Sequence, residues 1–253
     1  MKRLFTPEGE LALRHTMRQR PLLAFDFDGT LAPIVARPAD ARVPAAVADR
    51  LQRLAARLPL AVISGRRVDD LRRRLPFRPW RLVGSHGAED DGHAQASADN
   101  AAALVPARQR LAGHLETLTA AGVAIEDKGM SIALHYRLAA DREAAQRAIA
   151  HSIAGLPDSV SVYGGKMVVN IVAAQARDKA DAVAALVEAA GVHAAVFVGD
   201  DVNDEPVFAR DEPTWLTVRI GQDDPQSAAR WFLDGPADLA IMLDRMLDAL
   251  PAR

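Results

Sequence analysis

The 253-residue chain contains no cysteine, which removes disulfides, thiolate metal sites and thiol nucleophiles at the outset. Lysine is scarce: Lys2, Lys128, Lys166 and Lys179 are the only four, and arginine carries the rest of the positive charge. A chain that uses arginine throughout but keeps lysine at a few internal positions has candidate sites for a compact ammonium, which the planar guanidinium fork cannot imitate. No run approaches the ~18 apolar residues of a membrane-spanning helix. The opening MKRLFTPEGELALRH has acidic residues and no continuous apolar stretch, unlike a secretory leader. With 31 basic and 33 acidic residues the formal charge is −2, so bulk attraction to nucleic acid is not expected. The arginine stripe from 66 to 81 reads as a basic helix surface rather than a nucleic-acid patch. Seven histidines without an H-x-x-x-H pair argue against zinc. These exclusions leave a cytoplasmic enzyme with neither membrane nor nucleic-acid partner as the expectation, with a monomer as the default state.

What is present is 49% apolar residues, ample for a large core, and a change of pattern in mid-chain. The apolar runs 21–25, 60–63, 81–83, 196–198 and 215–220 read as buried strands. Helical spacing in between (Val47, Leu51, Leu54, Leu58; the stretch 68–75; Val183, Leu186, Val187; Leu239 to Leu247) makes them βαβ units of a parallel sheet. Between them, Leu104, Leu111, Leu115 and Leu118 suggest a helix closed by Gly122, and a second helix is expected over about 141–154. Segments 123–128, 130–137, 159–163 and 167–171 alternate apolar with polar, as half-buried antiparallel strands do. The expected fold class is therefore α/β: a Rossmann-like parallel-sheet core with an inserted α+β cap domain carrying an antiparallel sheet. The boundaries read as core 1–103, cap 104–174 and core 175–253. One face of the cap sheet would bear Glu126, Lys128, His135, Arg137, Lys166 and Asn170. Such a face is a substrate-recognising lid if it meets the strand tips, and merely solvated otherwise.

Three apolar runs end in polar clusters: DFDGTLAP at 26–33, VISGR at 62–66 and VFVGDD at 196–201. Open parallel sheets bind ligands at the carboxyl ends of their strands. Each motif alone reads as an ordinary turn or helix cap; the three together, in this order, read as one site. Asp26, Asp28, Asp200 and Asp201 would meet there. Four carboxylates in one crevice need a cation, and an all-oxygen donor set favours Mg²⁺. Asp26 on the metal is fit to attack phosphorus, and Asp28 to give a proton to the leaving oxygen and later take one from water. Thr30, Ser64 and Gly65 would cradle the phosphoryl oxygens, with a lysine, Lys179, neutralising charge. His86, at the tip of a strand, reads equally as a substrate contact or a turn residue. Arg66 and Arg67 face either phosphate or solvent.

DFDGTL, ISGR, a lysine heading a late helix and GDD resemble, in order and spacing, the haloacid dehalogenase superfamily of phosphatases. DFDGTLAP, VISGR, GSHGAE, EDKGMSIALHYR, GGKMVV and GDDVNDE are similar, more narrowly, to the trehalose-6-phosphate phosphatase family, from about residue 20 to near the C-terminus. The resemblance implies an aspartyl-phosphate mechanism with Asp26 as nucleophile and Asp28 as acid/base. It implies Ser64 and Lys179 on the phosphoryl group, and Asp200 with Asp201 anchoring Mg²⁺. It also implies Glu126, Lys128, Arg137 and Lys166 on the sugar. Asn170 departs from the family, which commonly has glutamate there. Rival readings are a phosphatase of another sugar phosphate (sucrose, mannosyl or glucosyl), a related phosphomutase, or, from another class, a phosphoacceptor signalling domain. The last needs only about half this length and opens on an acidic pair rather than on D-x-D.

Overall fold

The computed structural model describes residues 1–35, 37–165 and 167–250, so Lys166, expected on the sugar-facing sheet, lies outside the described residues. Contacts divide the chain into two compact units, Met1–Gly87 with Arg177–Arg253, and Ala88–Ala176. The α/β class with an inserted antiparallel sheet is as the alternation led one to expect.

In chain order the first unit opens with β1 (Lys2–Arg3), α1 (Pro7–Arg18), β2 (Leu22–Phe25), α2 (Ala45–Ala55), β3 (Leu60–Ile63), α3 (Val68–Arg74) and β4 (Arg81–Gly84). The inserted unit follows with β5 (Glu89–Asp90), α4 (Ala94–Ala103), α5 (Val105–Gly113), α6 (Leu115–Ala120), β6 (Ala124–Asp127), β7 (Ser131–His135), α7 (Arg142–Ile153), β8 (Val160–Gly165) and β9 (Val168–Ala173). The chain then returns with α8 (Lys179–Ala189), β10 (Ala195–Gly199), α9 (Glu205–Phe208), β11 (Trp215–Ile220), β12 (Trp231–Leu233) and α10 (Ala237–Ala249).

The first unit's seven strands lie parallel in the order β1-β12-β11-β10-β2-β3-β4. Residues of β2, β3 and β10 are buried on both faces, which explains why their sequences are continuous apolar runs. Leu23 and Phe25 pack with residues of α1, α2, α3 and α10, whereas Leu22 and Ala24 pack with Val183 and Leu186 of α8 and with Phe208 of α9. The helix α1, which the sequence reading passed over, starts at Thr6, whose hydroxyl accepts from the Gly9 amide (3.2 Å). Arg245 of α10 ties to Glu10 of α1, and Arg50 of α2 makes a two-pronged bond to Asp244 at 2.8 Å on each prong.

The inserted unit builds an antiparallel sheet in the order β6-β7-β9-β8 over its own core of Leu104, Leu111, Leu118, Leu134, Ile149 and Ile171. The single helix expected from Leu104 to Leu118 is two, α5 and α6, joined at His114. The unit begins at Ala88, ahead of the 104 that alternation suggested, because α4 belongs to it: Asn100 Nδ2 donates to the Ala88 carbonyl at 2.8 Å. Helix α4 also packs on β9. Strand β7 is not half-exposed as strict alternation implied; Ser131 and Ala133 are buried as fully as Ile132 and Leu134.

Ile171 has no exposed surface and sits where β7, β8 and β9 meet. Ile171→Ala is expected to cost about 2–5 kcal/mol, as a cavity-forming core truncation. A lowered urea midpoint with unchanged slope, read by a probe inside residues 88–176, checks it; a loss under about 0.5 kcal/mol would contradict the packing described.

Candidate active site

Two neighbouring strands fix the centre of the site. Strand β2 ends at Phe25 and delivers Asp26, whose amide donates to the Val198 carbonyl of β10 at 2.9 Å; β10 ends at Gly199 and delivers Asp200. The turn after Asp26 can pass Asp200 closely because residue 29 is glycine. Gly29 has φ +87°, and a Cβ there would lie 2.0 Å from Asp200 Oδ2. Thr30, buried, donates its hydroxyl to Asp200 Oδ1 at 2.9 Å.

Lys179 enters from the first turn of α8, whose N-cap Asp178 accepts from the Asp181 amide. Its ammonium, 3% exposed, donates to Asp26 Oδ1 at 2.7 Å and to Asp204 Oδ1 at 2.6 Å. Asp204 is the residue the sequence reading did not single out. It has no exposed surface, and its other oxygen accepts from the amides of Asp200 (2.9 Å) and Asp201 (3.0 Å). The signal was there: an acid three residues after Asp201 makes a reciprocal capping box, which holds the turn closed.

Asp201 spends its carboxylate on the turn itself, accepting from the Val202 amide (2.7 Å) and Asn203 Nδ2 (2.9 Å). Asp28 is likewise engaged, accepting from Arg66 Nε at 2.6 Å and Nη2 at 2.7 Å. The three carboxylates whose oxygens lie within 4.8 Å of one another are Asp26, Asp200 and Asp204, not the expected four of 26, 28, 200 and 201.

One ammonium cannot balance three carboxylates, two of them buried and the third, Asp200, half-buried. Burial pushes the Asp26 carboxyl well above the ordinary range; Lys179 opposes this, while Asp204 and Asp200 add to it. Burial also lifts Asp200 to about 6, against its bond from Thr30 and with help from Asp204 and Asp201. Burial works against the Lys179 charge, but Asp26 and Asp204 outweigh it and hold the ammonium above the usual lysine value. The site as built by the chain is short of positive charge, and its donors are all oxygen, so the residues present fit a hard divalent cation.

Beside this cluster, β3 ends in Ser64, buried, whose Oγ accepts from the Arg66 amide at 3.2 Å. The His86 ring lies over Gly65, where a Cβ would fall 2.4 Å from Cε1 and Nε2, so the small residue is required by the imidazole above it. His86 has φ +59° and its amide donates to the Ser64 carbonyl at 2.9 Å, which stitches the tips of β3 and β4 together. Arg66 Nη1 also donates to Asp70 (2.8 Å), which accepts from Arg74 Nε (2.7 Å) as well. The Arg74 bond and, against desolvation, the Arg66 bond hold Asp70 down at about 2.

In the inserted unit, Glu126 and Lys128 approach each other (3.7 Å), and Glu126 accepts from or pairs with His135 Nε2 at 2.9 Å. The turn carrying Lys128 is clamped by Arg108, which bonds both oxygens of Asp127 and the Gly129 carbonyl. Arg137 is exposed just past β7, and Asn170 is half-buried in β9.

A parallel sheet with acidic side chains at its strand tips, bridged by a lysine from the start of α8 and interrupted by an inserted α+β unit, defines an α/β protein with an acidic, lysine-bridged site. The sequence model described as trehalose-phosphatase matches residues 24–237, and the chain belongs to that family. It is 37% identical over 257 residues to a trehalose-phosphate phosphatase of Mycobacterium avium (strain 104), covering 95% of this chain and 64% of that protein. It is 31% identical to a trehalose-phosphate phosphatase of Mycobacterium bovis (strain BCG / Pasteur 1173P2), covering 90% of this chain and 61% of the relative. The chain thus spans somewhat under two thirds of the length of these two relatives. Its fold superposes on the C-terminal domain of the C. albicans trehalose-6-phosphate phosphatase with a TM-score of 0.72 at 21% identity, covering 96% of this chain and 97% of that one. The Aspergillus fumigatus trehalose-6-phosphate phosphatase gives 0.69 at 23% identity, with 95% and 97% covered. Among the described residues no helix is long and apolar enough to cross a membrane.

An acid whose folded pKa lies above its unfolded value holds its proton more tightly when folded, so its contribution to stability falls as pH rises between the two values. For Asp200 that window runs from 3.8 to about 6. In chelator, Asp200→Asn should therefore gain in melting temperature over the wild type as pH is raised from about 4 to about 7, and should forfeit that gain in millimolar Mg²⁺. A difference that stays flat with pH in chelator would show that Asp200 is not strained by its neighbours.

Proposed function

We propose that the protein is a Mg²⁺-dependent phosphatase that hydrolyses trehalose 6-phosphate to trehalose and inorganic phosphate through an aspartyl phosphate. The observation that carries this reading is the Asp26–Lys179–Asp204 bridge beside Asp200, in a member of the trehalose-phosphatase family. In this reading Asp26, Asp200 and Asp204 hold the cation, which supplies positive charge for the phosphoryl oxygens when bound. Asp28 and Asp201, whose carboxylates are bonded elsewhere, contribute less directly.

The chemistry then falls to the chain's own groups. Lys179 orients the Asp26 carboxylate and neutralises phosphate charge; Ser64 and the Gly65 amide fix the phosphoryl oxygens, with Thr30 steadying Asp200. Asp26 attacks phosphorus as the bond to the sugar oxygen breaks, and Asp28 supplies the proton the sugar leaves with. Residues 88–176 would serve recognition. Glu126, Lys128, Arg137 and Asn170 would bond sugar hydroxyls, Lys166 with them, and His86 would line the path of the leaving group. A cytoplasmic monomer acting on a small-molecule sugar phosphate belongs to the same reading. Asn170, an amide in place of the carboxylate usual in the family, favours testing other sugar phosphates as a second reading.

The test is phosphate release from trehalose, sucrose, mannosyl and glucose phosphates, with Mg²⁺ and with chelator. Trehalose 6-phosphate should be the best substrate, chelator should abolish turnover, and Asp26→Asn should lose at least about 10³-fold in kcat while its melting curve stays cooperative. Lys128→Ala should raise KM for the sugar phosphate about tenfold or more and leave p-nitrophenyl phosphate turnover nearly unchanged. Substantial activity in Asp26→Asn rejects the nucleophile, and equal loss on both substrates removes Lys128 from recognition.

A further inference from the structure

The Arg66–Asp28 pair is more built than a helix-surface arginine requires. Arg66 is 12% exposed, and all three guanidinium nitrogens are used: Nε and Nη2 on the two oxygens of Asp28, Nη1 on Asp70. Behind it, Asp70 is gripped by Arg74 (12% exposed), whose Nη1 donates to the Ala39 carbonyl at 2.8 Å. Asp28, Arg66, Asp70 and Arg74 thus form a row that starts at the D-x-D turn and ends on the loop following that turn. The guanidinium also lies 5.4 Å from the centre of the Phe27 ring, so it is held from the side as well as from both ends.

Arg66 belongs to the same turn as Ser64. Its amide donates to Ser64 Oγ, and its carbonyl accepts from the Ser85 amide at 2.8 Å. The turn that would hold the phosphoryl oxygens and the group that holds Asp28 are therefore one rigid piece. A two-pronged guanidinium–carboxylate contact fixes the plane of the carboxylate as well as its position.

Resting on the phosphatase reading above, we propose that Arg66, backed by Asp70 and Arg74, is a positioning residue for the second half of the reaction, in which water releases the phosphoryl group from Asp26. In that step the water oxygen bonds to phosphorus and the bond from phosphorus to the Asp26 oxygen breaks, with its electron pair returning to Asp26. The water proton passes to Asp28, held at that point by the fork. The proton then leaves with solvent or with the next leaving alcohol. In the first half Asp28 gives a proton to the sugar oxygen, but p-nitrophenolate leaves without one, so with that substrate the attack of Asp26 does not depend on how Asp28 is held.

Rapid-quench and stopped-flow measurements with p-nitrophenyl phosphate separate the halves. In Arg66→Gln and in Arg66→Lys the first turnover should keep the wild-type rate within about threefold. Later turnovers should slow about 10²-fold, with acid-stable phosphoenzyme accumulating toward one equivalent. Lysine should do no better than glutamine, because a point charge cannot fix the carboxylate plane. Asp70→Asn, which leaves Asp28 and Arg66 in place, should show the same pattern at about tenfold and covers the case in which the Arg66 variants fail to fold. First and later turnovers slowed alike, full rescue by lysine, or weaker inhibition by inorganic phosphate in step with the lost rate (a direct phosphate contact) would each overturn the inference. Should the wild type form no phosphoenzyme, the phosphatase mechanism itself falls; normal phosphoenzyme formation with unchanged decay in the variants sinks only the role given to Arg66.

Discussion

The structure turns on a buried ammonium. Lys179 sits at the first position of α8, where the helix dipole disfavours a cation and an acid would be the stabilising choice. Burying it costs several kcal/mol in lost hydration, an amount recovered only with well-made partners. Asp26 and Asp204 are those partners, at 2.7 and 2.6 Å, and Asp178 and Asp181 supply the negative charge that the helix start requires. Local helix chemistry therefore does not explain this lysine; the carboxylates opposite do. The same bridge leaves the Asp200 carboxylate without a cationic hydrogen-bond donor among the described residues, the Thr30 hydroxyl being its donor there. An incomplete balance of this kind is what a site keeps when a cation arrives with the substrate or before it.

Sheet topology explains why these groups meet. Moving along the chain from β2, strands β3 and β4 are added on one side, and β10, β11 and β12 on the other. Crossovers that leave a strand in opposite directions open a crevice at the carboxyl end between the two central strands. Here those strands are β2 and β10, and their first residues past the sheet are Asp26 and Asp200. Ser64 comes from β3, one strand spacing away. No long loop is needed to bring Asp26, Asp200 and Ser64 together, only three short strands that end within a residue of one another in register, Phe25 lying opposite Val198 and Val62.

Much of this was legible before any coordinates. The strands of the first unit are short apolar runs stopped by acid, glycine or serine, and buried parallel strands leave that trace whatever packs around them. Asp26, Asp200 and Ser64 could be assigned to one crevice because each follows such a run, while Lys179 joined them through the family resemblance. Other parts left weaker traces. Helix α4 is mainly alanine with polar residues and has no apolar stripe, so periodicity could not find it, and the start of the inserted unit was read too late in the chain. Alternation in β7 suggested one open face, but Ser131 and Ala133 are small enough to be covered without a change of pattern. At Gly-Asp-Asp the sequence suggested that both acids face inward; the capping box turns Asp201 to the surface and brings in Asp204. The row through Arg66 escaped because surface arginines on a helix look alike until their partners are known.

The insertion is tolerated for a geometric reason that also shapes how the protein works. The chain leaves the first unit at Gly87 and returns at Arg177, and a Cβ at Gly87 would lie 2.4 Å from the Arg177 carbonyl and 2.5 Å from that of Asp178. Entry and exit are in contact, so residues 88–176 occupy what amounts to a single tight turn between β4 and α8. The sheet order is undisturbed, and each unit closes its own core. Residues of the inserted sheet, Asn170 among them, can then vary without altering the strands that fix Asp26 and Asp200. The junction is not remote from the chemistry, however. His86, stacked on Gly65, precedes one end of the insertion by a residue, and Lys179 follows the other by two. Whatever the inserted unit binds is thus linked by a very short covalent path to His86 over Gly65 and to Lys179 on Asp26. Under the phosphatase reading, that covalent path is the physical basis on which selectivity for the sugar would be coupled to reaction at phosphorus.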